Sequence, residues 1–195
     1  MSAIPRKPGR TLGMIWLVLS VAAAGAVHAE SKPSPNKHLL SVELGYMLPA
    51  LNVSDAYVGG YRYSLSYERH SLFEGIPLGV GALWAMDGLV PAADFFFASP
   101  MLEAGLMVLL DFRRVAGSGV ELSMAPYVGY RHYFRYLRYM DDESYLLRPA
   151  AMAGLKLRLI MPNGYVYMAS LEYDLYIDNT AIHILAVTVG TGEVR

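Results

Sequence analysis

Few side chains in this sequence are spaced for chemistry. His70 adjoins Ser71 and follows Glu68 by two residues. Those three types are the raw material of acyl transfer: a hydroxyl nucleophile, a base and an orienting acid. Adjacent residues on a strand point to opposite faces, however, so an extended segment separates His70 from Ser71. His132 stands among Arg131, Tyr133 and Arg135, and His38 and His183 have no nucleophile beside them. Asp141, Asp142 and Glu143 form a short acidic cluster. A calcium loop needs more ligands at fixed spacing, so these read as solvated loop acids. There is no phosphate loop, dinucleotide fingerprint or zinc signature. With no cysteine there is no thiolate metal site, cysteine nucleophile, disulfide framework or lipidated-cysteine anchor. The expectation is a protein with no catalytic residues, no metal and no cofactor.

The remaining charges follow a pattern of period two, the mark of strands with two unlike faces. In 40–48, Leu40, Val42, Leu44, Tyr46 and Leu48 share one face, while Ser41, Glu43, Gly45 and Met47 share the other. In 61–69, Tyr61, Tyr63, Leu65 and Tyr67 oppose Arg62, Ser64, Ser66 and Glu68, with His70 continuing the polar face. The same alternation recurs in 76–87, 101–113, 120–136, 147–161 and 165–178, and less cleanly in 183–191. These eight segments are long for a soluble sheet, where about 5–6 residues is usual, and match the roughly 9–11 of a tilted membrane strand.

The connections alternate as well. Short turns are expected at 71–75, 114–119 and 162–164, the last through Asn163-Gly164, a pair that readily takes positive φ. Longer loops are expected at 50–56, 88–100 and 138–145, with a further connection at 179–181. The loop 88–100 carries Phe95, Phe96 and Phe97. Short turns at one rim and longer loops at the other suit a membrane barrel.

The first 29 residues read as an export signal. Arg6, Lys7 and Arg10 precede an apolar stretch centred on Trp16–Leu19, and Val27-His28-Ala29 fits a small-x-small cleavage site. Cleavage is therefore expected after Ala29, leaving a polar leader at 30–37 and a barrel at 38–195. Loss of three basic residues leaves 13 basic against 17 acidic groups. That balance excludes a nucleic-acid binder by bulk charge. At 54% hydrophobic and 17% charged, the chain is also too apolar to be disordered.

Alternation alone leaves open which face points outward, because a soluble lipocalin-like barrel alternates too, with its apolar face inside. Three features favour a membrane barrel. Beyond residue 29 only Lys32, Lys37 and Lys156 are lysines, too few to wet a soluble barrel. Glycines share the charged face, which suits a tight lumen. Many of the fifteen tyrosines fall near strand ends, where aromatic belts form. The inward face then carries Glu43, Arg62, Glu68, Glu103, Asp111, Arg113, Glu121, Arg131, Arg135, Arg148, Lys156, Arg158, Glu172 and Asp174. An eight-stranded barrel is only wide enough for its own side chains, so these charges are expected to pair in a plugged lumen.

The signal peptide, the eight alternating segments and the short-turn, long-loop rhythm together resemble the small outer-membrane β-barrels: the OmpA membrane domain, OmpX-like and OmpW-like proteins. The resemblance implies an all-β fold, a closed eight-stranded antiparallel transmembrane barrel in the cell outer membrane. It implies outer-membrane lipid and the outer-membrane assembly machinery as partners. An OmpW-like role implies passage of small hydrophobic molecules, for which Phe95, Phe96 and Phe97 are the candidate entry residues. An OmpX-like role implies surface adhesion or defence, with host surface components as partners. A lipid A-modifying enzyme and a soluble periplasmic ligand-binding barrel are the alternatives. Such barrels usually end in an aromatic residue, whereas this sequence ends Thr191-Gly192-Glu193-Val194-Arg195. Two explanations stand: relaxed assembly recognition, or a last strand that stops early and carries a tail.

Overall fold

A computed structural model describes residues 38–50, 57–73, 76–91, 99–139, 142–176 and 182–195. The export signal at 1–29, the leader at 30–37 and Phe95, Phe96 and Phe97 lie outside the described residues.

Nine strands form one antiparallel sheet: β1 (His38–Ala50), β2 (Tyr57–Arg69), β3 (Leu78–Pro91), β4 (Ser99–Leu110), β5 (Phe112–Ala116), β6 (Val120–Tyr139), β7 (Asp142–Ile160), β8 (Tyr165–Tyr176) and β9 (Ile182–Val194). Each pairs with its sequence neighbour, except that β4 and β5 both pair with β6, and β9 returns to β1. The sheet therefore closes, with β4 and β5 as one stave, giving eight staves in all. Their register against β6 is continuous, from Met101 opposite Arg135 to Ala116 opposite Val120. The break at Leu110 and Asp111 falls where that register meets Pro126 and Ala125. Pro126 has no N–H to give the ladder, which accounts for the interruption. The Asp111 N–H instead donates to the Pro77 carbonyl at 2.7 Å.

Closure fixes the faces. Leu40, Leu44, Trp84, Leu106 and Val189 are exposed outward, Leu106 to 70%. Glu43, Arg62, Glu68, Arg131, Lys156 and Asp174 are buried inside. A soluble ligand-binding barrel would have the opposite arrangement. The apolar belt can shed water only against lipid, and in lipid every backbone polar group must be paired within the protein, which a closed sheet achieves.

Several boundaries differ from the sequence reading. The fourth stave runs on through Ala116, so the turn expected at 114–119 shrinks to a single helical turn at Gly117–Gly119, with positive φ at Ser118 and Gly119. At Asn163-Gly164 only Gly164 has positive φ, 87°. Its N–H donates to the Met161 carbonyl at 2.9 Å, and the Asn163 Oδ1 accepts from the Tyr165 N–H at 3.2 Å. Much of the loop expected at 138–145 is strand, because β6 and β7 stay paired through Arg138–Glu143 and Tyr139–Asp142. β9 does not stop early. It stays in register with β1 from His183 opposite Ala50 to Val194 opposite Leu39, and His38 and Arg195 exchange main-chain hydrogen bonds at 2.8 and 2.9 Å.

Candidate functional site

The period-two alternation that puts leucine and valine outside delivers charged side chains from seven staves into one narrow lumen. They gather in two clusters. Toward the long-loop rim, Arg62 on β2 and Arg131 on β6 stand among Asp87 on β3, Glu103 on β4, and Glu172 and Asp174 on β8. The Arg62 Nε donates to Asp87 Oδ1 at 2.8 Å, and its Nη2 reaches Asp174 at 2.8 Å. The Arg131 Nη1 donates to Glu103 at 2.6 Å, and its Nη2 lies 2.8 Å from Asp174. Both guanidiniums also meet Glu172. This planar, forked geometry is what arginine supplies and lysine cannot.

Toward the short-turn rim, the Lys156 Nζ on β7 sits between Glu43 Oε1 on β1 at 2.8 Å and Glu68 Oε1 on β2 at 2.9 Å. Ser170 and Thr188 donate to the other Glu43 oxygen at 2.5 and 2.6 Å, so that carboxylate spans β1, β7, β8 and β9. Arg158 pairs with Glu68 and lies 3.6 Å from Asp111. Asp111 also takes Arg113 at 2.6 Å and the Ser123 hydroxyl, and Arg113 reaches Glu121 at the rim at 3.4 Å.

Tyr127 joins the two clusters. Its hydroxyl donates to Glu172 at 2.5 Å, while the Lys156 ammonium lies 5.7 Å from its ring centroid. Between the clusters is a cavity of about 20 Å³, lined by Arg62, Ser64, Tyr127, Lys156, Glu172 and Thr188 among others, with room for a single water. Apolar side chains flank the ion clusters on both sides. Met47, Leu89, Met101, Tyr133 and Ile184 pack toward the long-loop rim, and Leu39, Ile160, Val166 and Met168 toward the short-turn rim.

Twelve of the fourteen charged residues expected inside therefore fall in one cluster or the other. The backbones of Arg135 and Arg148 stand opposite Met101 and Tyr133, and their side chains lie outside the described residues. Three further residues take part. Asp87 shares its face with Gly79, Gly81 and Ala85, but its place beside the expected loop hid it. Tyr127 lies within the alternating segment 120–136, and nothing in its sequence neighbourhood marks its role. His70 is buried, with Nε2 3.2 Å from Glu68 and Nδ1 2.8 Å from Asp111. Ser71 sits in the turn with φ 55°, and the Ser123 hydroxyl is held by Asp111 rather than by the imidazole. The parts of an acyl-transfer site are present but not assembled. Among the described residues, no group of three or more His, Asp or Glu is arranged to hold a metal ion.

Known structures share this architecture. The Neisserial surface protein A matches with a TM-score of 0.57 at 10% identity, covering 80% of this chain and 96% of that one. The fold is that of the small outer-membrane β-barrels. Ail, the attachment invasion locus protein of Yersinia pestis, solved with the heparin analogue sucrose octasulfate, matches with a TM-score of 0.55 at 15% identity, covering 83% and 100%. The N-terminal barrel domain of Pseudomonas aeruginosa OprF matches at 0.52 and 13%, covering 80% and 97%. At these identities the likeness is one of fold. No protein-family model and no curated protein matches the sequence. An outer-membrane type of barrel agrees with the outward apolar belt.

Proposed function

We propose that this chain is a non-enzymatic integral outer-membrane protein, exported by a signal cleaved after Ala29. Its lumen is a sealed structural core, and its long-loop rim is presented at the cell surface. The observation that carries this reading is the lumen itself. Two clusters of opposite charges, with Arg131, Glu68 and Asp174 each 0% exposed, lie between two apolar layers. Among the described residues the cavity between the clusters is only about 20 Å³, which supports a lumen without a wide aqueous path. Among the described residues the β6–β7 pairing runs past that of β4–β6 and β7–β8, which supports an adhesive surface role over passage of hydrophobic molecules.

Two measurements test this. Membranes extracted with and without detergent, followed by a gel of unheated and boiled samples, should yield a detergent-dependent band whose mobility shifts on boiling. Partition into the aqueous periplasm overturns the membrane reading. Lipid A from cells with and without the protein should have the same mass distribution, and an altered acyl pattern overturns the non-enzymatic reading.

A further inference from the structure

Among the residues whose side chains are described, the exposed arginines and lysines are Arg69, Arg114 and Arg195. All three stand at the short-turn end of a stave. Two of them flank β1. His38 stands opposite Arg69 on β2, and it exchanges main-chain hydrogen bonds with Arg195 after β9. All three continue the outward alternation of their strands, set by Leu40, Tyr67 and Val189. Arg69, His38 and Arg195 therefore form one row on the outside of the barrel. Two residues closer to mid-stave, the next row reads Tyr67, Leu40, Glu193 and Tyr165. The apolar belt thus gives way to ions and aromatic hydroxyls within one step, as surfaces do where lipid meets water.

The row is spaced for a phosphate. Adjacent strands lie about 4.8 Å apart, so Arg69 and Arg195 stand about 10 Å apart with His38 between them. Two arginine side chains can close that gap on a single phosphate, whose oxygens match the guanidinium fork. The His38 ring stacks on Tyr67, with centroids 5.7 Å apart and planes 24° apart, and its Nδ1 lies 2.5 Å from the Tyr67 hydroxyl. With that hydroxyl donating to Nδ1, the ring N–H is on Nε2 and supplies a further donor. Glu193 accepts from Nε and Nη2 of Arg195 at 3.3 and 3.1 Å, which leaves Nη1. Arg69 forms no ion pair with a described residue. Leu40, between Tyr67 and Tyr165, is an exposed apolar floor directly above the row.

We propose that Arg69, His38 and Arg195 bind the phosphate of an anionic glycerophospholipid in the leaflet at the short-turn rim, with an acyl chain along Leu40 between Tyr67 and Tyr165. Basic side chains just beyond an apolar belt recognise lipid headgroups in this way, their stems in lipid and their charges in the headgroup layer. An anionic headgroup is preferred to a zwitterionic one, because a choline ammonium would be repelled by Arg69. The inference rests on the reading that the apolar belt lies in lipid.

The test is titration of the folded protein in uncharged maltoside micelles, with folding verified by the boiled-gel shift and main-chain amide shifts as the readout. Phosphatidylglycerol should give saturable shifts at Leu39, Leu40 and Glu193, and none at Arg114. R69Q should weaken that binding about fivefold, the worth of one surface cation toward an anionic lipid. E193Q should tighten it severalfold, because it removes the acid beside the row, and it deletes no cation if R69Q fails to fold. R114Q, at the same rim but outside the row, should leave affinity within about twofold. Phosphatidylcholine binding as tightly as phosphatidylglycerol overturns the proposal. So does inorganic phosphate saturating the same amides at the same concentration, an R114Q loss equal to that of R69Q, or no gain with E193Q. A protein that shows no boiled-gel shift refutes the membrane reading, whereas a folded barrel indifferent to phosphatidylglycerol refutes this inference alone.

Discussion

The Tyr127 hydroxyl on β6 reaches across the lumen to Glu172 on β8 and donates to its Oε2 at 2.5 Å. This contact joins the two ion clusters, because the same tyrosine ring lies beneath Lys156. Tyr127→Phe leaves the ring in place and removes one donor from a buried carboxylate. Losing a partner in this way costs about 1–3 kcal/mol. Urea unfolding in lipid vesicles should show that loss, with the boiled-gel shift retained.

Lys156 answers two carboxylates at once, so its removal should be harsher. Lys156→Met leaves Glu43 and Glu68 facing each other without their shared cation. Breaking a buried pair from one side costs about 3–5 kcal/mol. Adding Glu43→Gln to the same chain should recover part of the loss, because one uncompensated charge disappears. A double-mutant cycle measures this. Additive losses would mean that the two residues do not act on each other.

The lumen is as crowded as it is charged. A Cβ at Gly154 would meet the Tyr127 ring carbon Cζ at 2.5 Å, and one at Gly105 would meet the Arg131 Cβ at 2.6 Å. Gly154→Val should therefore abolish the folded gel band. Gly154→Ala should be better tolerated in a Tyr127→Ala background than alone, since that removes the ring contact and leaves the Leu171 carbonyl oxygen at 2.7 Å.

The outward face can be tested with a single charge. Leu106 is 70% exposed near the middle of its stave. In water, Leu106→Arg would be nearly neutral, within about 0.5 kcal/mol. In a bilayer an arginine at mid-depth on the lipid face costs about 2–4 kcal/mol. Unfolding measured in vesicles should show the larger figure.

How far these features could be read from residues alone depends on range. The period of two is local, so the faces of Leu40–Glu43 or Leu171–Glu172 are visible from adjacent residues. The pairing of Arg62 with Asp174 is not, because it joins β2 to β8 across 112 positions and depends on every intervening register. The end of a strand is also a collective property. Residues 138–145 are polar enough to read as loop, yet cross-strand pairing extends the β6–β7 ladder as far as Tyr139 and Asp142. The break at Asp111 is set by Pro126 on the next stave, which no inspection of β4 alone reveals. His70 invited a catalytic reading because its sequence neighbour is Ser71, whereas its spatial neighbours are Glu68 and Asp111.

The sealed lumen is tested most directly by planar-bilayer recording of the folded protein, its folding checked by the boiled-gel shift. With apolar layers flanking both ion clusters and the clustered charges paired, the recording should show no stable open current. A stable large conductance from the folded barrel would contradict it.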